Sequence, residues 1–455
     1  MNRRLGLPLI LALVASCTPQ PTTSTPAPTA TASASAHLTA TASASPAAAA
    51  GLASKPLTTF TGNRRWLTVP DGLNSDAPIV IATFPGVDAT PGRPRARLRS
   101  TGRTVDLQRE TLGTTQPPPV QPLGQWTGTV PLDGAPIGEN TVDALVRLAD
   151  GSDAVVGSWS FLLSQPEYVV WTLDFEGDAA SNETMNNVWD IARNSRTPMT
   201  IMWNPRVWTT DQVTVERADV MANWTKTIEG VGYAEVALHL HAWTDFVRSA
   251  GVGPRTAPNW SGRSDGYDVP LTAFSESETK ALIDHALALM SEHGFKKPTT
   301  FRAGGLFANA ANLRAVAAAG FTVDTSAAPA GGFGRLLLPW TLKKDAQPYR
   351  PSRDDANVAG DLPLLEVPNI AGNTYALDTR TIAPVIADDL AMLAPAGEVA
   401  ASRRALTLVS HPGTVDATER AAIEALFRAF DPLRYDRDSG PVRFVTLAQL
   451  ARALK

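Results

Sequence analysis

From residue 168 onward, the sequence alternates between short apolar segments typical of β-strands and amphipathic segments typical of α-helices. Strands are predicted at 168–175, 199–203, 235–241, 299–302, 364–367 and 406–410. Helices are predicted at 182–193, 275–294 and 312–319, and from positions near 416 and 446. Strands that alternate with helices form parallel sheets or barrels. We therefore predict an α/β domain over 166–455, folded as a distorted seven-stranded (β/α) barrel.

The preceding segment, 57–165, has a different pattern. It contains short predicted strands separated by turn signals such as Asp133-Gly134 and Asp150-Gly151, at the spacing of an all-β sandwich. Its stretch 138–142, followed by 149–152, resembles the immunoglobulin-like modules found beside bacterial carbohydrate enzymes. We interpret it as a spacer or glycan-contacting module.

The amino terminus predicts export. Arg3 and Arg4 precede the apolar run 5–14, which is too short for a lasting membrane span and suits a signal peptide. The following Val-Ala-Ser-Cys sequence resembles a bacterial lipobox, which would be cleaved after residue 16 and lipidated at Cys17. An ordinary signal peptide with an incidental cysteine is the alternative. Because Cys17 is the only cysteine, an intrachain disulfide is excluded.

The segment 17–56 is dominated by Thr, Ser, Ala and Pro. Such a composition cannot bury enough apolar surface to offset the entropy of ordering, so we predict a disordered tether. We therefore predict an exported lipoprotein that is anchored in the membrane and faces the periplasm or the cell exterior. A net charge of −4 without a basic tract argues against nucleic acid as a partner.

Two histidines share one face of the predicted strand 235–241. Side chains alternate along a strand, so His239 and His241 point one way and the apolar Val236, Leu238 and Leu240 point the other. The apolar face would meet the helices, which leaves the imidazoles in the barrel interior. Two neutral imidazoles are half of a zinc-type site, although a pair of hydrogen-bonded structural histidines has the same pattern.

Acidic residues end the first strand of the same domain. Asp174 and Glu176 share one face, and Asp178 follows two residues later. Carboxylates held close together repel each other unless a cation or proton lies between them. One of them can bind a metal ion while another acts as a general base. A solvated acidic loop is the alternative.

Further polar residues follow later strands. Arg302 precedes Gly304 and Gly305, where glycine lets the backbone approach a ligand; Glu366 lies in the next predicted strand and His411 follows the last. Active sites of (β/α) barrels lie at the carboxyl ends of the strands. These positions are therefore candidates for the same site.

The order of these motifs resembles the polysaccharide deacetylase (NodB-homology) family. An acidic strand end, a histidine pair, Arg-x-Gly-Gly, a late acidic motif and a final histidine follow one another over 168–455. Two departures are clear. The family usually has adjacent aspartates in its first motif and three residues between its metal-binding histidines, whereas here the acidic residues are spaced and only Leu240 separates the histidines.

The resemblance implies a divalent cation, most often zinc, bound by Glu176 or Asp178 together with His239 and His241. It also implies that Asp174 takes a proton from water.

The same resemblance gives roles to two further residues: Arg302 orients the carboxylate of Asp174, and His411 donates a proton to the leaving group. The predicted substrate-binding residues are Trp243, Gly304, Gly305 and Glu366.

The implied activity is metal-dependent removal of acetyl groups from a cell-wall or extracellular polysaccharide. One alternative is a non-catalytic, glycan-binding lipoprotein that keeps the fold. Another is a glycosidase that uses Asp174 with Glu176 or Glu366 as paired carboxylates.

Overall fold

The computed structural model describes residue 57 and residues 59–84, 94–110, 124–148 and 150–455. The predicted signal peptide, Cys17 and the tether lie outside the described residues. Among the described residues, no helix has both the length and the apolar character needed to cross a membrane.

The described part of residues 59–164 forms two β-sheets. The four-stranded sheet has the order β1-β3-β7-β6 and the five-stranded sheet has the order β2-β9-β8-β4-β5. The strands are β1 (Thr59–Gly62), β2 (Trp66–Thr68), β3 (Ile79–Phe84), β4 (Arg95–Leu98), β5 (Thr104–Asp106), β6 (Gln108–Glu110), β7 (Gly124–Thr129), β8 (Gly138–Arg147) and β9 (Asp153–Ser164).

One apolar core is shared by the two sheets. Val80 and Ala82 come from the four-stranded sheet, and Leu98, Val142 and Phe161 come from the five-stranded sheet. This agrees with an all-β segment of packed sheets. An immunoglobulin-like topology and the domain boundaries remain predictions.

Residues 167–455 form the predicted α/β arrangement. The strands are β10 (Glu167–Asp174), β11 (Met199–Trp203), β12 (Ala234–Leu240), β13 (Thr300–Ala303), β14 (Val323–Asp324), β15 (Gly332–Phe333), β16 (Leu336–Leu337), β17 (Leu365–Glu366), β18 (Arg404–Ser410) and β19 (Val442–Phe444). The helices are α1 (Asn182–Ser195), α2 (Val215–Gly230), α3 (Thr244–Ser249), α4 (Glu276–Glu292), α5 (Ala310–Ala318), α6 (Ala383–Ala391), α7 (Ala417–Ala429) and α8 (Leu447–Ala453).

The main sheet is parallel throughout. Seven strands follow the order β17-β14-β13-β12-β11-β10-β18, and β19 pairs with the first residues of β10. The segment 365–374 joins the two edges: Val367 donates its backbone N–H to Asp324 in β14, and Thr374 donates to Val409 in β18. The sheet therefore curls into a distorted (β/α) barrel.

Strand alternation separates two faces of this sheet. Val236, Leu238 and Leu240 pack in the large core that the outer helices cover. Ala237 packs with the interior residues, together with Leu447 of α8. The predicted orientation of β12 is therefore confirmed, with its histidines on the interior face.

Local capping signals fix several helix starts. Ser275 and Glu278 form a reciprocal capping box at α4, Asp416 caps α7, and Thr446 caps α8. Helices α2, α3 and α6 were not predicted. Helices α3 and α6 lack a side-chain N-cap. Helix α2 does carry a signal that was overlooked, because Thr214 caps it and its buried residues, among them Ala218 and Met221, recur at helical spacing.

The all-β segment contacts the barrel through polar and apolar groups. Asp438 accepts hydrogen bonds from the backbone N–H groups of Arg65 and Trp66, at 2.9 and 2.8 Å. The hydroxyl of Tyr168 donates to Asp71. Leu73 adds an apolar contact, because it packs against the barrel cluster that contains Leu447 and Leu450.

Candidate active site

Five predicted residues meet at the carboxyl ends of the barrel strands. Asp174 ends β10, His239 lies in β12 with His241 directly after it, Arg302 lies in β13, and His411 follows β18. All except His411 are at least 95% buried. The parallel order of the strands brings these distant sequence positions to one edge of the barrel.

Glu176, His239 and His241 form a group able to hold a metal ion. Each offers one ligand atom, and these atoms lie within 4.8 Å of one another. The Oε2 atom of Glu176 lies 3.7 Å from Nε2 of His239 and contacts Nε2 of His241. The three donors therefore surround one position.

The chemistry of these donors fits a divalent cation. Nδ1 of His239 lies 3.2 Å from the carbonyl oxygen of Arg302, a contact that directs Nε2 towards Glu176. Within the described part of the chain, that buried Nε2 has no hydrogen-bond partner. A buried polar atom without a partner is costly, and a bound cation would satisfy it. Two imidazoles and a carboxylate are a ligand set that zinc accepts.

His411 joins the same cluster through Glu176. Its Nε2 atom lies 3.3 Å from Oε1 of Glu176, and its side chain remains 14% exposed. Asp174, Glu176 and His411 also offer three ligand atoms within 4.8 Å of one another. Glu176 is thus shared between the histidine pair and the pair formed by Asp174 and His411.

Arg302 fixes the carboxylate of Asp174. Its Nη1 atom donates to Oδ1 of Asp174 at 2.5 Å and to Oγ1 of Thr172 at 2.8 Å. Its Nη2 atom donates to Oδ1 of Asn369 at 2.6 Å, and its Nε atom to the carbonyl of Thr325 at 3.1 Å. The guanidinium is fully buried, so these contacts hold it in one orientation.

The electrostatics favour an ionised Glu176. Burial acts to raise the pKa of this carboxyl, but the charge of His241 and the close contacts with His239, His241 and His411 hold the pKa well below its usual range. Burial acts to lower the pKa values of His241 and His411, and the interactions with Glu176 reverse that effect and raise both.

Aromatic and glycine residues form the wall beside His241. The Trp243 and Trp260 rings lie 4.9 and 6.0 Å from the imidazole, between centroids. A Cβ atom on Gly304 would overlap the His241 ring, so glycine permits this close approach. Gly305 has φ +61°, a conformation that favours glycine.

Two other predicted site residues lie apart from the metal-capable groups. Asp178 is 57% exposed and pairs with Arg206 at 2.7 Å. Glu366 has no exposed surface, and its Oε1 atom accepts a hydrogen bond from the N–H of Ala327 at 2.9 Å. Burial and the charge of neighbouring Asp324 hold its pKa well above the usual range.

Sequence reasoning missed two residues that support the site. Asn369 holds Arg302, and the Asn204 side chain donates to the carbonyl of Glu176 at 2.9 Å. A sequence signal existed for both, because each polar residue follows a predicted strand within three positions. The general rule for strand ends in barrels could have found them.

Comparison with known proteins finds no matching family model and no matching curated protein. Among solved structures, the chain is similar to a suspected polysaccharide deacetylase from Mycobacterium smegmatis. The two share 15% identity, the alignment covers 63% of this chain and 89% of that chain, and the TM-score is 0.40. A family 4 carbohydrate esterase from Streptomyces lividans, in complex with acetate, has 12% identity, 59% and 88% coverage, and a TM-score of 0.31. An α-amylase from Thermotoga maritima has 8% identity, 64% and 75% coverage, and a TM-score of 0.29.

Polysaccharide deacetylases and carbohydrate esterases are thus among the solved structures similar to this chain.

Proposed function

We propose that this protein is a metal-dependent hydrolase that removes acetyl groups from a polysaccharide. The observation that carries the proposal is the convergence of Glu176, His239 and His241 on one position, with Asp174 and His411 beside them. A metal-capable group with a carboxylate and an imidazole beside it is one arrangement that can hydrolyse an acetyl amide or ester. The sequence resemblance to polysaccharide deacetylases points to the same reaction.

Glu176, His239 and His241 would hold the cation, which we propose to be zinc. A bound divalent cation lowers the pKa of a water molecule and polarises the acetyl carbonyl. The low pKa of Glu176 suits a ligand, because the carboxyl is ionised before any cation binds.

Asp174 is the proposed general base. Its Oδ1 atom is engaged by Arg302, whereas its Oδ2 atom lies on the side of His239, 3.9 Å from Nε2. The free oxygen is therefore placed to accept a proton from water in the site. Arg302 keeps this oxygen in position by holding the other.

His411 is the proposed general acid. The interactions with Glu176 raise its pKa, and its side chain is 14% exposed with Nε2 at 3.3 Å from Oε1 of Glu176, so the ring borders the proposed metal position. It would protonate the nitrogen or oxygen that leaves when acetate is released. Trp243 and Trp260 would limit water on the His241 side of the site.

The test is acetate release by the purified protein loaded with Zn²⁺. N-acetylated chitooligosaccharides, peptidoglycan fragments and an O-acetylated xylan cover amide and ester substrates. The wild type is expected to release acetate from at least one of them, His239→Ala to lose that activity, and His285→Ala, which changes a histidine in α4, to keep it. Chain shortening instead of acetate release would support a glycosidase, and glycan binding without bound metal would support a binding protein.

A further inference from the structure

Arg206 is a buried cation that the proposed reaction does not use. It lies in the 3₁₀ turn Pro205–Trp208, directly after β11 and on the same edge of the barrel as the site. It has no exposed surface. Its side chain reaches the two segments that carry Glu176 and His241.

The first segment follows Glu176. Nη1 of Arg206 donates to the carbonyl of Gly177 at 3.0 Å and to Oδ1 of Asp178 at 2.7 Å. Asn204 adds its hydrogen bond to the carbonyl of Glu176. A Cβ atom on Gly177 would lie 2.9 Å from Arg206 and 3.0 Å from Asn204, so this turn packs tightly against them.

The second segment follows His241. Nε of Arg206 donates to both carboxylate oxygens of Asp245 at 2.9 and 3.0 Å, and Nη2 donates to Oδ2 at 2.7 Å. The guanidinium also stacks over the ring of Trp243, at 4.3 Å from its centroid. That ring in turn packs against His241. The side chain of Arg206 therefore contacts both the segment that follows Glu176 and the segment that follows His241.

Charge compensation holds the buried guanidinium of Arg206 in place. A buried cation is tolerated only where opposite charges and hydrogen bonds compensate it. Asp245 and Asp178 supply the charges, and Tyr267 adds a further acceptor at 3.3 Å. Burial acts to lower the pKa of Arg206, but Asp245 outweighs it and raises the pKa, so the charge is permanent.

We infer that Arg206 is a positioning residue, which sets the distance between Glu176 and the histidine pair by fixing Asp178 on one side and Asp245 with Trp243 on the other. The inference rests on the proposed function in one respect, namely that Glu176, His239 and His241 hold the metal ion. It also gives Asp178 a role: it is a counterion of Arg206 and not a ligand.

The test is titration of the metal-free protein with Co²⁺, whose visible absorption reports ligand geometry without any turnover. Lysine cannot reproduce the forked contacts of arginine, so Arg206→Lys is expected to weaken Co²⁺ binding about 10- to 100-fold and to change the absorption bands. The matched control is Arg434→Lys. Arg434 is also a buried arginine paired with an aspartate, but its contacts are with Asp436 and Arg196.

Asp178→Asn gives a second variant in case Arg206→Lys does not fold. Its side chain is mostly exposed, so the substitution removes one ion pair with little change in packing. We expect a smaller loss of Co²⁺ affinity than in Arg206→Lys, with bands shifted in the same direction. Circular dichroism and thermal melting establish that each variant is folded.

The outcomes separate the two claims. If the wild type shows no Co²⁺ absorption bands, or if its bands persist in His239→Ala, then the proposed metal site is wrong and the positioning role fails with it. If the wild type binds Co²⁺ and folded Arg206→Lys and Asp178→Asn bind it with the same affinity and spectrum, only the positioning role is overturned. Loss of affinity in Arg434→Lys of equal size would also overturn it.

Discussion

Asp174 and Arg302 form a buried ion pair, with 2.5 Å between Oδ1 and Nη1. The pair joins β10 to β13 across the barrel interior, over 128 positions of sequence. Because Arg302 also binds Thr172 and Asn369, it cannot turn away from Asp174. The carboxylate therefore presents one fixed free oxygen to the cluster of histidines.

Replacement of Asp174 by asparagine should remove the base while keeping its shape. We expect kcat for acetate release to fall about 10²- to 10⁴-fold, the usual contribution of a general base. Bound metal, measured by elemental analysis, should remain stoichiometric because the three proposed ligands are intact. Asp219→Asn, at an exposed position in α2, is the control and should keep full activity. An active Asp174→Asn protein would exclude this residue as the base.

Asn369 should affect the reaction through Arg302. Asn369→Leu leaves Nη2 of Arg302 without its 2.6 Å partner and removes hydrogen bonds to the carbonyls of Thr325 and Ala327. We expect kcat to fall about 10-fold with little change in KM, since Arg302 would orient Asp174 less well and the substrate contacts would be unchanged. Steady-state kinetics and the folded fraction should be measured together. A kcat that falls only in proportion to the folded fraction would indicate a purely structural role.

Much of the site could be predicted from strand alternation alone. The rule that alternate side chains share a face places Asp174, His239 and Arg302 in the barrel interior. Their strands have clear apolar patterns and the observed bounds differ from the predicted ones by only a residue or so. A parallel sheet then brings strand ends together without further information.

The supporting contacts could not be predicted in this way. Which of Glu176 and Asp178 faces the histidines depends on the turn at Gly177, and this turn is hydrogen-bonded to Arg206, which is distant in sequence. The two-residue strand β14 is also too short for a periodic signal. Its position is set by pairing with β13 and β17, which is a tertiary property.

Gly304 should be intolerant of even one added methyl group. Its backbone does not require glycine by its φ angle, but a Cβ atom would overlap the His241 ring. We expect Gly304→Ala to lower Zn²⁺ affinity about 10-fold and the free energy of unfolding by about 1–3 kcal/mol, because the imidazole must move. Gly253→Ala, where nothing lies within 4 Å, is the matched control. Equal Zn²⁺ affinity in both variants would contradict the close approach.

Membrane attachment is predicted from the signal-peptide pattern and the lipobox-like sequence that ends at Cys17. In a bacterium that processes lipoproteins, the wild type should fractionate with membranes, and mass spectrometry should find a lipidated Cys17 at the mature amino terminus. Cys17→Ser should abolish lipidation and membrane attachment while leaving the activity of the folded protein unchanged. A wild-type protein that is recovered free of lipid would show that the cysteine is incidental to an ordinary signal peptide.

Stability should depend on pH through Glu167, at the opposite end of β10 from Asp174. This carboxyl is 1% exposed, and burial raises its pKa to about 7, which the N–H of Ala394 offsets only in part. The unfolded chain releases this proton near its ordinary value, so between pH 4.5 and 7 the folded state binds more protons than the unfolded state. The free energy of unfolding therefore falls with rising pH over this interval, by about 3 kcal/mol from this group. Above pH 7 the folded state ionises too, and no further loss follows.

Glu167→Gln should remove that penalty while keeping an acceptor for Ala394. In urea denaturation, we expect the variant to match the wild type near pH 4.5 and to be more stable by about 2–3 kcal/mol at pH 8. Glu139→Gln, at an exposed position in β8, should show no such change between the two pH values. Because the other titrating groups are the same in the variant and the wild type, their contributions cancel in the difference between the two free energies of unfolding. A stability difference between Glu167→Gln and the wild type that is equal at pH 4.5 and pH 8 would mean that Glu167 does not keep its proton on folding.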